Sequence, residues 1–107
     1  MVKISILYPH RKGGRFDMDY YLQRHMPRAV ALFGPHPGYH GVSVERGLSG
    51  SAPGSDPAFT VVFSFLFESL PAFVAASKAV GNELQLDMPN YTDAVPVMQI
   101  SEVVNIG

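Results

Sequence analysis

The stretch Phe59-Thr60-Val61-Val62-Phe63-Ser64-Phe65-Leu66-Phe67 decides the fold of this 107-residue sequence. Side chains alternate between the two faces of a β-strand, so four phenylalanines and Val61 share one face. The opposite face carries Thr60, Val62, Ser64 and Leu66. This face is also too apolar to be exposed to water. The stretch therefore predicts a strand with both faces covered.

Three further strands are predicted on either side of this one. Residues 2–8 alternate in the same way and predict a first strand. A second strand is predicted around Val42 to Leu48, and a fourth includes Met98, Ile100, Val104 and Ile106. A loop rich in Gly, Ser and Pro, over residues 49–57, separates the second strand from the third.

Two helices are predicted between the strands. The first begins near Asp17, a good N-cap, and ends at Gly34, with apolar residues at helical spacing between them. Pro27 lies inside it and is expected to kink the helix or to leave a backbone carbonyl free. The second begins after Ser69, another N-cap, and runs through Leu84.

The resulting order βαββαβ predicts one α+β domain over residues 1–107 with a ferredoxin-like fold. In this fold a four-stranded antiparallel sheet carries both helices on one face. The other face would then lie bare and apolar, which soluble monomers rarely tolerate over a large area. A second copy of the chain is the simplest cover, so we expect a homodimer.

The composition excludes several functional classes. The net charge is −1, from eight basic and nine acidic residues, so binding to nucleic acid is not expected. There is no cysteine, and His36 and His40 lie in a turn without acidic neighbours, so no metal site is predicted. No segment predicts a membrane span or a leader, which favours a cytoplasmic protein. No cofactor-binding motif is present, and we expect no cofactor.

The candidate site is on the first helix. Tyr21 and His25 are four residues apart and so share a helix face. Histidine exchanges protons near neutral pH, and a neighbouring phenol is able to donate to a developing oxyanion. The alternative is structural, with His25 bonded to a backbone carbonyl that Pro27 leaves free.

Several segments together resemble the EthD family, which is named for a small protein encoded with the cytochrome P-450 system that degrades ethyl tert-butyl ether. The resemblance covers nearly the whole chain. It is carried by Phe16-Asp17 with Tyr20-Tyr21, by His25-Met26-Pro27 and Gly34, and by residues 88–93 and 96–103. It implies a dimeric α/β barrel and makes His25 the characteristic histidine of the family. Arg28 differs from the leucine that often follows this motif.

Three hypotheses about function remain open at this point. The first is a protein for the degradation of ethers or related compounds, either a cofactor-free oxidoreductase or an isomerase or lyase. In it His25 is the acid/base, Tyr21 is its partner, and the pocket walls are Tyr8, Phe63, Phe65 and Tyr91. The second is a non-catalytic module that binds a hydrophobic ligand or serves a cytochrome P-450 oxygenase system. The third is a barrel filled by side chains, with no pocket.

Overall fold

The computed structural model of the chain describes residues 1–107 and has the order βαββαβ. Strand β1 is Val2–Pro9. It is followed by a helical stretch made of α1 (Met18–Tyr20), a π-helical turn (Tyr21–His25) and α2 (Met26–Phe33). Strands β2 (Tyr39–Arg46) and β3 (Phe59–Phe67) come next. Helix α3 (Leu70–Asp87), a 3₁₀ turn (Met88–Asn90) and β4 (Val97–Glu102) complete the chain.

The four strands form one antiparallel sheet in the order β2-β3-β1-β4. Strand β3 lies between β1 and β2, so both of its edges are hydrogen-bonded. Its register aligns Phe65 with Ile4 of β1 and with Val42 of β2, so these three residues share a face. The ferredoxin-like α+β fold predicted from the sequence is confirmed.

The core lies between one face of the sheet and the helices. Its buried residues form one cluster: Ile4, Tyr8, Tyr21, Ala29, Phe33, Val61, Phe63, Phe65, Phe67, Phe73, Ala76 and Tyr91. Phe33 of α2 packs on Phe65 with ring centroids 4.4 Å apart, and Phe73 of α3 lies 5.4 Å from Phe67. Aromatic burial of this kind supplies most of the free energy that holds helices on a sheet.

The opposite face of the sheet is more polar than expected. One register row crosses all four strands and consists of Ser43, Ser64, Ser5 and Gln99. Leu7, Val62 and Leu66 flank this row and are half-buried, and Lys3 and Glu45 lie beside them on the same face. The prediction of a continuous apolar face is therefore wrong, because the serines of three strands fall in register.

The helical stretch begins as the sequence predicted and changes form before Pro27. The side chain of Asp17 accepts a hydrogen bond from the Tyr20 amide at 3.0 Å. The Met26 amide then donates to the Tyr21 carbonyl, five residues back, which defines a π turn. Pro27 falls in the first turn of α2, where a missing N–H is tolerated.

Two strand boundaries differ from the prediction. Strand β2 begins at Tyr39 and ends at Arg46, because Gly38 has φ +87° and turns the chain directly into the strand. Strand β4 ends at Glu102, so Val104 and Ile106 are exposed and do not belong to it.

The chain contains no helix with the length and hydropathy to cross a membrane.

Candidate active site

A cavity of about 230 Å³ opens beside His25, between the sheet and the helices. The interior next to His25 is therefore not completely filled by side chains. All six residues predicted for the site line this cavity: Tyr8, Tyr21, His25, Phe63, Phe65 and Tyr91. The remaining lining residues are Ile6, Leu84, Gln85, Met88, Pro96 and Met98. The lining is mainly apolar and includes no Asp, Glu, Lys or Arg.

His25 is buried and its ring is hydrogen-bonded to Asp87, the last residue of α3. Its Nδ1 atom lies 2.8 Å from Asp87 Oδ2. A carboxylate only accepts hydrogen bonds, so Nδ1 carries the proton and donates it to Asp87. In neutral His25 the Nε2 atom is then an acceptor, and it forms no hydrogen bond within the protein. The expectation that His25 bonds a backbone carbonyl is wrong, because Asp87 occupies Nδ1.

Asp87 is held by two further side chains. Its Oδ1 atom accepts hydrogen bonds from Tyr20 Oη at 2.5 Å and from Asn90 Nδ2 at 2.9 Å. Burial acts to raise the pKa of Asp87, but the hydrogen bonds from Tyr20, Asn90 and His25 outweigh it and lower the pKa. The carboxylate is therefore ionised at neutral pH, which fixes the ring orientation and tautomer of His25.

Three phenols, Tyr8, Tyr21 and Tyr91, cluster beside His25, and Tyr21 and Tyr91 contact its ring. Tyr8 Oη and Tyr91 Oη are 2.7 Å apart and share a hydrogen bond. Tyr21 stacks on His25, with centroids 5.1 Å apart and planes 17° from parallel. Its hydroxyl is fully buried and has no hydrogen-bond partner. Burial and the neighbouring phenols of Tyr8 and Tyr91 raise the pKa of Tyr21, so this hydroxyl stays protonated.

The segment that carries Asp87 and Tyr91 is fastened to the loop after β1. Arg15 Nη2 donates to the Pro89 carbonyl at 2.6 Å, and the Arg15 amide donates to Asp93 Oδ1 at 3.0 Å. Arg11 forms an ion pair with Asp93 at 2.7 Å. Arg11 and Arg15 therefore hold this segment in place from outside the cavity.

A larger, more open cleft of about 560 Å³ lies on the other side of Tyr8. Arg11, Arg15 and Thr92 line it, and each already has a partner within the protein. No group of three or more His, Cys, Asp or Glu side chains comes together anywhere in the chain to hold a metal ion.

Neither a protein-family model nor a curated protein sequence matches this chain. Solved structures do. An EthD-like protein from Ralstonia eutropha superposes with a TM-score of 0.90 at 44% sequence identity, over 97% of this chain and 92% of that one. The chain belongs to the EthD family. An EthD family protein from Bacillus halodurans, 20% identical, also matches with a TM-score of 0.70 over 97% of this chain and 99% of its own.

The EthD fold extends to more distant proteins. SnoaB from Streptomyces nogalater, a cofactor-independent oxygenase, matches with a TM-score of 0.69 at 12% identity, over 98% of this chain and 94% of that one. At this identity the likeness concerns the fold alone. The matches to the EthD proteins and to SnoaB both agree with the resemblance that the sequence motifs indicate.

Sequence reasoning did not find Asp87, the residue that orients His25 in this EthD protein. The second helix was predicted to run through Leu84, whereas α3 continues to Asp87, whose side chain contacts Tyr20 and His25 of the first helical stretch. Tyr20 and Asn90, which hold Asp87, belong to the motifs that carried the family resemblance. The family resemblance was the one sequence signal for the residues around Asp87. It includes Tyr20 and Asn90 but does not indicate which residues they contact.

Proposed function

We propose that this protein is an acid/base enzyme for a small, mainly apolar organic compound, with His25 Nε2 as the group that moves the proton. One observation carries the proposal: Nδ1 of His25 is bonded to an ionised carboxylate, while Nε2 has no protein partner beside an apolar cavity. This arrangement is the one that a histidine base needs, since one nitrogen is oriented and the other accepts the proton.

The mechanism begins when Nε2 takes a proton from the bound compound. Asp87 stabilises the resulting imidazolium, because the carboxylate lies 2.8 Å from Nδ1. Tyr21 stacks on the His25 ring and its hydroxyl is fully buried, so in the proposed step it orients the imidazole. Tyr8, Phe63, Phe65 and Tyr91 form the walls that exclude water.

Two classes of reaction use this step. In an isomerisation or elimination His25 returns the proton to another atom or assists the departure of a leaving group. In a cofactor-free oxygenation the deprotonated compound reacts with dioxygen as co-substrate. The name of the Bacillus halodurans relative refers to ethyl tert-butyl ether, and we place the substrate among ethers or their breakdown products.

A non-catalytic role is the second candidate, because the same apolar lining also suits storage or delivery of a hydrophobic compound to a cytochrome P-450 oxygenase system. This role requires binding but no proton transfer. The two candidates differ in their dependence on His25.

We also propose that two copies of the chain associate through the sheet face opposite the helices. Leu7, Val62 and Leu66 on this face are half-buried in the single chain, and Ser5 and Ser64 lie between them. Stacking two such faces would cover the apolar groups, while Ser5 and Ser64 hydrogen-bond each other within one sheet, with Oγ atoms 3.4 Å apart.

Proton exchange in D₂O tests the enzymatic proposal. NMR follows deuterium incorporation into a panel of small carbonyl compounds and ethers, with wild type, His25→Gln and, as a matched control, His40→Gln, which alters an exposed histidine. We expect wild type and His40→Gln to exchange equally, and His25→Gln to be about 10²–10⁴-fold slower. Equal rates in His25→Gln would refute the proposal. Binding without exchange would favour the non-catalytic role.

A further inference from the structure

We propose that the ligand is a small, uncharged enol or phenol whose hydroxyl group donates a hydrogen bond to His25 Nε2. This inference rests on the proposed function and names the chemical class of its substrate. Three observations carry it: Nε2 is unpaired and open to the cavity, the neighbouring hydroxyls are buried, and the lining has no formal charge.

The Nε2 atom of His25 is open to the cavity. It has no hydrogen-bond partner in the protein, because the hydrogen bond from the ring to Asp87 uses Nδ1. The Tyr21 hydroxyl is the one fully buried polar side-chain atom without a partner, so Nε2, which also has none, is in contact with the cavity. A neutral imidazole accepts a hydrogen bond at this nitrogen, and a ligand that donates one would pair it.

The phenols beside His25 are less accessible than its imidazole. Tyr8, Tyr21 and Tyr91 are 3%, 0% and 1% exposed, whereas His25 is 6% exposed. The hydroxyls of Tyr8 and Tyr91 also bond each other. The interior polar atom that a ligand meets is therefore the acceptor Nε2. A ketone or an ether would place its oxygen lone pairs against the lone pair of Nε2, whereas a hydroxyl places a proton there.

The entrance to the cavity lies between α3 and β4. Gln85 of α3 and Met98 of β4 line the cavity and are exposed, whereas Phe63 and Phe65 on the sheet are buried. The Gln85 amide both donates and accepts hydrogen bonds, so it does not select between a hydroxyl and a carbonyl. A ligand that is bonded to His25 points its apolar part toward this entrance.

The lining selects against ions and large compounds. It includes no Lys or Arg to pair an anion and no Asp or Glu to pair a cation. Transfer of an unpaired charge into such an environment is strongly unfavourable, so the ligand binds in its neutral form. The cavity volume of about 230 Å³ lies below the roughly 300–1,000 Å³ of pockets for drug-sized ligands, so the compound is small.

The acidity of enols and phenols suits a histidine base, whereas a saturated alcohol is too weak an acid. The O–H bond breaks, its electron pair stays on the oxygen, and the proton moves to Nε2. The imidazolium keeps its Nδ1–H bonded to Asp87, and its new Nε2–H donates to the enolate or phenolate oxygen. The imidazolium itself stabilises the anion, so the step needs no second donor in the cavity.

Three matched benzene derivatives test this class. Phenol donates a hydrogen bond, anisole only accepts one, and toluene does neither. NMR titration at about pH 8, where an ordinary imidazole is neutral, measures their dissociation constants. The proteins are wild type, His25→Leu and the control His40→Leu, which changes an exposed histidine outside the cavity.

We expect wild type and His40→Leu to bind phenol about five- to tenfold more tightly than toluene or anisole, the value of one neutral hydrogen bond. His25→Leu should bind the three compounds equally. Equal binding of phenol and toluene by wild type would overturn the inference. Tighter binding of anisole than of phenol, or no binding of any probe at millimolar concentration, would overturn it too.

Nitrogen NMR of the His25 ring gives a second measurement that needs no variant. In wild type, the chemical shift of Nε2 should move toward its protonated value when phenol binds and should stay unchanged when toluene binds. The same shift with both compounds would overturn the inference. This result decides the question even where His25→Leu does not fold.

The proposed function fails in a different way. A carbonyl compound with an enol tautomer reaches the same enolate, which gains deuterium at carbon when it returns to the keto form. If phenol is preferred through His25 but no carbonyl compound exchanges its protons, the ligand class stands and the enzymatic role is refuted. If exchange depends on His25 but phenol and toluene bind equally, the enzymatic role stands and the ligand class is refuted.

Discussion

Replacing Asp87 with asparagine tests the network behind His25. The carboxylate accepts three side-chain hydrogen bonds, from Tyr20, Asn90 and His25. Hydrogen bonds to an ionised group contribute ~1.5–3 kcal/mol, about twice the value of neutral ones, so removing the charge costs about 1 kcal/mol for each bond. The side chain of Asp87 is 24% exposed, and water offsets part of this loss. We expect the free energy of unfolding to fall by about 2 kcal/mol.

Thermal unfolding followed by circular dichroism measures this change. For a domain of this size 1 kcal/mol corresponds to about 4 °C, so Asp87→Asn should melt about 8 °C below wild type at pH 7. Asp56→Asn is the matched control, since the Asp56 side chain is 73% exposed and its one ionic contact, with His10, spans 3.6 Å. The control should melt within about 2 °C of wild type.

The pH dependence gives the sign of the effect independently. The pKa of Asp87 is lowered in the folded protein, because its hydrogen bonds outweigh the effect of burial. A carboxylate with a lowered pKa stabilises the fold above the unfolded value of about 3.9, and this contribution is lost as pH falls through the folded pKa. The gap between wild type and Asp87→Asn should therefore be full at pH 7 and shrink below about pH 4. A gap under 2 °C at pH 7, or one that persists at pH 2, would refute the reasoning.

Three further changes test the core, the turn and the sheet face. Tyr91→Phe leaves the buried Tyr8 hydroxyl without its partner, so the free energy of unfolding should fall by about 1–3 kcal/mol. Tyr21→Phe removes a hydroxyl that has no partner, so the melting temperature should stay unchanged or rise. The opposite order of the two variants would contradict the hydrogen-bond assignment. Gly38→Ala places a Cβ on a residue with φ +87°, 2.8 Å from a neighbouring side-chain carbon. Denaturant titration should show that the free energy of unfolding falls by about 2 kcal/mol. An unchanged free energy of unfolding would rule out this backbone conformation. In light scattering, wild type should have twice the chain mass of 11.7 kDa, and Val62→Lys should have the mass of one chain. A monomeric wild type would disprove the association of sheet faces.

The sequence predicted what depends on local periodicity. Alternation in residues 59–67 identified β3 and its buried face, and the spacing of Tyr21 and His25 placed both at one site, because side chains four residues apart share a helix face. The walls Tyr8, Phe63 and Phe65 were found because they lie on predicted strands that face the helices. Tyr91 was found in a segment that the family resemblance covers.

The sequence did not predict what depends on contacts between distant segments. Asp87 is 62 residues from His25, and no pattern along the chain reports that α3 ends against the π turn. The polar row on the open sheet face arises from strand register, which sets Ser5 beside Ser64 and Ser43. The predicted fourth strand was also too long, because Val104 and Ile106 continue the apolar alternation but pair with no neighbouring strand.

The π turn makes the spacing of Tyr21 and His25 sensitive to chain length as well as to residue identity. It accommodates one more residue than a regular α-helical turn. Deleting either Leu22 or Gln23 would let the segment relax into regular helix, and each residue of an α-helix turns it by roughly 100°. Tyr21 and His25 would then be three residues apart, which keeps them on one helix face but changes the contact between their rings. A comparison of EthD sequences should therefore count residues between these two positions before it matches the residues themselves.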